Sequence, residues 1–292
     1  MERKFIDEIR DNIGSSLPVA AGIVGKVIKI IYEVSSNAKD LADVIEYDPP
    51  LTARIIKNAN SAYYGSSTQI NSLQRAVVVL GYETIKEIVT TATILHYFFE
   101  PKNASIIDRP GLWMHSVGTA RAAQLISKQI NYDRPDVSYT VGLLHDIGKI
   151  LLAVSFPEQY GKVIELAKEK KCRIILAERK LLNLDHTMIG ELLCDIWNLP
   201  DEISSAISFH HDLRGTTKTR NLQARIINLA NNMCRKAKIG YPGDDLVPAP
   251  SRAALSILGI SAEKVKYSYD IIFEKLIQSK PDIESFFIAL KQ

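Results

Sequence analysis

The chain has 292 residues, enough for one large domain or two modest ones with their own cores. Apolar residues make up 46% and charged residues 24%, an ordinary balance for a soluble globular protein. A net charge of +3 is too small to argue for nucleic acid as a partner. Cys172, Cys194 and Cys234 form no CxxC pair and no even framework, which suits reduced structural thiols in the cytoplasm. The first eight residues lack the apolar core of a signal peptide. The most apolar region, Tyr139–Phe156, carries His145, Asp146 and Lys149, which argues against a membrane span.

Taken in chain order, nearly every periodic segment reads as helix. Val24, Val27, Ile28 and Ile31 recur at three- and four-residue spacing, as a core-facing stripe does. A shorter helix is expected over Ala38–Tyr47. Asp48-Pro49-Pro50 reads as a helix start, with Asp48 capping and Pro49 in the first helical position. Leu51, Ile55, Ile56 and Ala59 form the buried face of that helix, and Asn60-Ser61 ends it before a Gly65-Ser66-Ser67 loop. Leu73, Ala76, Val77 and Leu80 predict the next helix, closed by Gly81. Another is expected over Thr84–Phe99, with His96 as a structural histidine. Glu100-Pro101-Lys102-Asn103 reads as a linker, and Arg109-Pro110-Gly111 opens a second helical set. The Arg173–Ile175 run is compatible with a short strand.

The second half holds five of the six histidines. His115 lies on a predicted helix whose Gly118 and Ala122 leave room beside the ring. His145 and Asp146 sit side by side inside an apolar helical run, with Lys149 on the same helix side. His186 opens a helix ending near Trp197, with Gly190 giving space, and His210-His211 end the helix that starts near Pro200-Asp201. A buried ionised carboxylate beside an imidazole is costly unless a cation compensates it. A metal ion or Lys149 meets that need. Several imidazoles with one carboxylate suit iron, manganese, zinc or nickel, whereas calcium and magnesium prefer oxygen-rich shells. The set is too large for one tetrahedral ion and suits two transition-metal ions bridged by Asp146, iron or manganese first.

At these residues the chain resembles the HD superfamily of metal-dependent phosphohydrolases. His115, the His145-Asp146-Ile147-Gly148-Lys149 string, His186 and His210-His211 are similar to the ligand set of binuclear members such as the HD-GYP phosphodiesterases. The first half resembles a narrower family, the HDOD (HD-related output) domain, through Leu17-Pro18, Asp48-Pro49-Pro50-Leu51, Asn60-Ser61-Ala62, Ile70-Asn71-Ser72 and Leu80-Gly81. The likeness runs from about residue 15 to about residue 230. It implies an all-α fold, with an N-terminal helical subdomain over 1–108 and an HD-type helical bundle over 109–292. It also implies a role in bacterial signalling. Many HDOD domains lack the metal ligands, while this chain keeps most of them. Where HD enzymes supply a last aspartate, this chain has Asn231, a weaker neutral ligand that Asn231→Asp would strengthen. Gly240-Tyr241-Pro242 spells the GYP tripeptide beyond its usual place and is read as a loop and a coincidence.

Two readings follow. In one, the chain is a signalling adaptor whose N-terminal half binds a signalling protein partner and whose metal site is structural, sensory or vestigial. In the other, it hydrolyses a nucleotide or cyclic dinucleotide. Asp146 and the histidines then hold the metals, Lys149 neutralises phosphate charge, and Asp212 orients a histidine. Diiron oxygenase chemistry is a third option for such a site. No membrane partner is expected.

Overall fold

The computed structural model of the protein describes residues 24–30, 33, 36–37, 39–41, 49–60, 69–94, 106–213, 221–259 and 261–291. Among them every regular element is a helix, as the family likeness implied. The elements are α1 (Pro49–Ala59), α2 (Leu73–Leu80), α3 (Tyr82–Ile94), α4 (Arg109–Gln129), α5 (Pro135–Leu144), α6 (Ile147–Ser155) and α7 (Pro157–Glu169). They continue with α8 (Ile174–Leu182), α9 (His186–Ile196), α10 (Asp201–Phe209), α11 (Asn221–Lys236), α12 (Arg252–Leu255), a 3-10 turn (Ser256–Leu258) and α13 (Ala262–Lys291). The strand considered at Arg173–Ile175 is the start of α8. Ile174, Ile175, Ala177 and Glu178 are its buried residues, which is helical spacing and not alternation.

Two apolar clusters divide the described residues. The first gathers Val27, Leu41, Ile55, Ala59, Ile70, Ile85, Ile88 and Val89 from the N-terminal helices. The second is much larger and spans α4 to α13, with Val24, Ile28 and Ile94 reaching into it. One helical turn therefore serves both clusters, since Val24 and Ile28 face one and Val27 the other. Asn60 staples the first cluster. Its amide donates to Ile70 O at 2.7 Å and its Oδ1 accepts from Ile70 N at 2.8 Å. Ser72 caps α2 by accepting from Arg75 N, and Gly81 closes it at φ 82°, a left-handed angle that suits glycine. The helix expected over Ala38–Tyr47 is described only at 39–41. Asp48 as a cap, the Gly65–Ser67 loop, His96, the last residues of the Thr84–Phe99 helix and the Glu100–Asn103 linker lie outside the described residues.

In the second half, α4 packs against α5, α11 and α13. Asp108 starts α4 by accepting from Gly111 N at 2.9 Å, and Pro110 stands in its first turn. Pro135 and Pro157 open α5 and α7 in the same way. Residues 135–155 are apolar enough to pass for a membrane span on composition, yet most of the stretch is buried within the protein. The helix expected to run through His145-Asp146 breaks there. Asp146 has φ −104° and ψ 9°, so α5 ends before the pair and α6 starts after it. The break turns both side chains inward.

Candidate metal centre

Four segments deliver the six residues singled out from the sequence. His115 comes from the middle of α4, and His145 and Asp146 from the α5–α6 break. His186 is the first residue of α9. Asp185 caps that helix by accepting from Thr187 N and Met188 N, and Arg179 Nε holds Asp185 at 2.6 Å. His210 and His211 follow α10, where Asn228 Nδ2 donates to His210 O at 2.7 Å. All but His211, which is half-buried, are shut off from solvent.

Asp146 lies at the centre, and its two oxygens face different rings. Oδ2 is 3.2 Å from His145 Nε2 and 3.8 Å from His115 Nε2. Oδ1 is 3.3 Å from His186 Nε2 and 3.9 Å from His210 Nε2. His211 joins the second group, its ring centroid 4.1 Å from that of His210 and 5.2 Å from that of His186. Metal–nitrogen and metal–oxygen bonds of about 2.0–2.2 Å place two ligand atoms of one ion roughly 3–4 Å apart. The observed separations fall in that range.

Proton accounting shows why a cation fits. His145 Nδ1 lies 2.8 Å from Gly142 O, and His210 Nδ1 lies 2.7 Å from Ile207 O. A carbonyl only accepts, so each Nδ1 carries a proton and Nε2 is the ring nitrogen left toward Asp146. His186 Nδ1 is likewise spoken for, 2.6 Å from Glu178 Oε2. Four Nε2 atoms, from His115, His145, His186 and His210, are buried without a hydrogen-bond partner, as is Asp146 Oδ1. Polar atoms buried together without partners are costly, and a cation between the rings and the carboxylate would relieve that cost. Burial, then the neighbouring rings, hold His115, His210 and His211 well below the usual imidazole range. Burial opposes ionisation of Asp146, but His145 and Lys149 outweigh it and keep its carboxyl well below the usual carboxylate range. Imidazole nitrogens around an ionised carboxylate form a donor set for transition metals.

Lys149 Nζ donates to Asp146 Oδ2 at 2.7 Å and to Pro242 O at 2.9 Å. The GYP segment is a loop, as expected, and it packs against the site. Besides receiving Lys149, its Tyr241 N donates to Gly111 O at 2.7 Å. Gly240, at φ +67°, lies so close to α4 that a Cβ would stand 2.2 Å from His115 N. The loop and the site are built against each other. Asn231 is buried beside them, and its Oδ1 accepts from Arg235 Nε at 3.0 Å. Its oxygen, the atom that would ligate a metal, is thus turned to a guanidinium.

The expected free space beside two histidines is filled. A Cβ on Gly118 would meet Cys234 Sγ and Ile239, and one on Gly190 would meet Ile207. These glycines admit core side chains and not a mobile imidazole. One site residue escaped the sequence reading. Glu178 accepts from His186 N at 3.0 Å and from Tyr160 OH at 2.7 Å, besides bonding the ring. Its place on the buried face of α8 is the only sequence signal for it.

An all-helical fold with a buried histidine–aspartate cluster defines an HD-type protein with a potential metal site. Residues 17–213 match the HDOD domain, and the chain belongs to that family. An HDOD domain protein of Geobacter sulfurreducens is similar over 92% of this chain and 91% of its own, with 26% identity and a TM-score of 0.75. A proposed signal transduction protein of Marinobacter aquaeolei VT8 aligns with 97% of this chain and 66% of its own, at 21% identity and a TM-score of 0.76. A proposed phosphohydrolase of Shewanella amazonensis SB2B shares the fold at 21% identity and a TM-score of 0.69, covering 92% of this chain and 93% of its own. An uncharacterised protein of Treponema pallidum is 24% identical over 212 residues, 72% of this chain but 40% of that protein. This chain therefore spans less than half the length of that relative.

Proposed function

We propose that the protein is a bacterial signal-transduction HDOD protein carrying a binuclear transition-metal site in its second half. The observation that supports two ions is the division of Asp146, whose two oxygens each face a separate group of imidazoles. His115 and His145 would hold one ion, His186, His210 and His211 the other, and Asp146 would bridge them. Iron or manganese suits this set best, with zinc or nickel next. When bound, such ions supply Lewis-acid polarisation and acidify water. Lys149, buried with its Nζ donating to Asp146 and to Pro242 O, serves to balance the Asp146 charge. Glu178 fixes the tautomer and plane of the His186 ring. The N-terminal half, residues 1–108, would bind a signalling protein partner in the cytoplasm, with 109–292 as the metal-bearing unit. Protein purified without chelators and reconstituted with iron or manganese is expected to carry close to two ions per chain by elemental analysis. Below about 0.2 per chain with all four metals, far from the two ions of a bridged centre, the reading is abandoned.

A second reading, hydrolysis of a nucleotide or cyclic dinucleotide, is favoured by the polar cavity that opens on the half-buried His211. Metal-dependent turnover of bis-p-nitrophenyl phosphate that disappears in Asp146→Ala would support it. Its absence with every metal would leave the adaptor.

A further inference from the structure

A cleft of about 450 Å³ opens where the two halves of the chain meet. Its wall comes from α3 on one side and from α4 and the turn into α5 on the other. We propose that this cleft binds a small organic cation of the diamine class, held by Glu87 together with Glu33 and Asp133. Its volume lies within the roughly 300–1,000 Å³ of small-molecule sites. Five carboxylates against three bases line it, an excess of two negative charges. Part of that charge is already matched. Lys86, buried at 7% exposure, donates through Nζ to Asp136 Oδ2 at 3.0 Å and lies 2.9 Å from Glu83 Oε1. Arg134 Nε stands 3.7 Å from Asp136 Oδ1. These two cations and two carboxylates cancel.

The excess therefore rests on Glu33, Glu87 and Asp133, with Lys128 against them. Glu87 is the most enclosed of the three. Gln124 Nε2 donates to its Oε1, and Arg121 Nη1 donates to Gln124 Oε1 at 2.6 Å, so that amide is fixed in place. No ion pair holds the Glu87 carboxylate among the described residues, and burial pushes its carboxyl above the usual range. An ammonium group set against it would offset that cost and form a charge-assisted hydrogen bond. A bare metal ion does not fit this wall. Among the described residues, the groups of carboxylates and imidazoles close enough to share one ion are those around Asp146. The acids of the cleft are divided instead, Glu33 and Glu87 on the N-terminal half and Asp133 on the other, which suits a molecule charged at both ends. Between them the Tyr82 ring, Pro135 and the aliphatic stems of the lysines give a methylene chain apolar surface to lie on. An occupant would thus tie α3 to the turn into α5.

No lining residue belongs to the candidate metal centre, so the cleft stands apart from the metal reading, and chelator-treated protein tests it alone. Titration calorimetry of the full chain with putrescine, at constant ionic strength, is expected to show saturable binding, with a matching rise in melting temperature. Glu87→Gln keeps the side-chain shape and removes the charge. It should weaken binding about tenfold or more, the value of a lost charge-assisted bond. Glu33 and Asp133 are exposed, so Glu33→Gln with Asp133→Asn disturbs no core and should also weaken binding. That pair keeps the test open should the melting temperature show that Glu87→Gln does not fold. Butylamine, with one charge, should bind more weakly than putrescine. Glu263→Gln, at an exposed acid of α13 outside the cleft, should bind as wild type does. No saturable binding, undiminished binding to folded Glu87→Gln or to the exposed pair, or an equal loss in Glu263→Gln overturns the proposal. A lysine-rich peptide that binds where putrescine does not also overturns it, and makes the cleft a protein-docking surface.

Discussion

The two halves of the molecule bury different things. Around α1–α3 the interior is aliphatic, and its buried polar groups are Asn58, a lysine and three threonines. Around α4–α11 it holds His115, His145, Asp146, Lys149, Glu178, His186 and His210, all at most 2% exposed. Apolar burial stabilises a fold without any further partner, whereas this polar set needs counter-charge and protons in the right places. The difference teaches where stability should depend on metal and pH. It should do so in the second half alone.

The largest expected effect comes from Lys149. In metal-free protein, Lys149→Ala leaves Asp146 buried beside no cation, and breaking such a pair costs about 3–5 kcal/mol. Urea unfolding would read the loss, and added metal should recover part of it. An unchanged midpoint would mean that Lys149 does not balance Asp146. Next is the ligand pair itself. His145→Ala with Asp146→Ala should remove the metal-induced rise in melting temperature, worth about 2.7 kcal/mol at a metal concentration 100 times Kd. Should variant and wild type melt together with and without metal, the centre is not assembled as described.

The third expectation concerns pH. His115 and His210 are held below the usual imidazole range by burial, then by neighbouring rings, so they are neutral in the folded state. Below about pH 6.5 the unfolded chain binds protons that the folded chain refuses. Metal-free stability is therefore full above that pH and is lost as pH falls toward the depressed folded values. The limit is about 1.4 kcal/mol per pH unit for each histidine. A flat profile between pH 7 and 5 would contradict the protonation assigned here. The smallest effect sharpens the contrast from the other side. Ile88→Val in the N-terminal cluster should cost about 0.5–1.5 kcal/mol and leave metal content unchanged. A fall in metal content would show that the two clusters are not independent.

The residues of the candidate metal centre were legible because imidazoles and a carboxylate at that density have few other uses, and the helices because apolar spacing follows the core. The break at His145-Asp146 was not. An apolar run reads as one helix, and only α4 and α9 packing on either side show that it must turn. Glu178 was hidden because it reaches His186 across the α8–α9 turn, where no helical spacing rule applies. Arg235 was within reach of the sequence, four residues after Asn231 on one helix, and it decides which atom of that amide is engaged. The role of the Gly240-Tyr241-Pro242 loop depended on a contact to Lys149 from 93 residues away, which periodicity cannot carry.

Gly148, in the turn of α6 that follows Asp146, sets a gauge for the whole centre. A Cβ there would stand 2.0 Å from the carbonyl oxygen of His186, the residue that presents the second group of rings. The gap between α6 and α9 is therefore the thickness of a bare backbone. A single methyl group would act as a wedge, driving His186 away from Asp146 Oδ1 while leaving His115 and His145 beside Oδ2. The spacing of the two groups of ligands is thus written in an atom that residue 148 lacks.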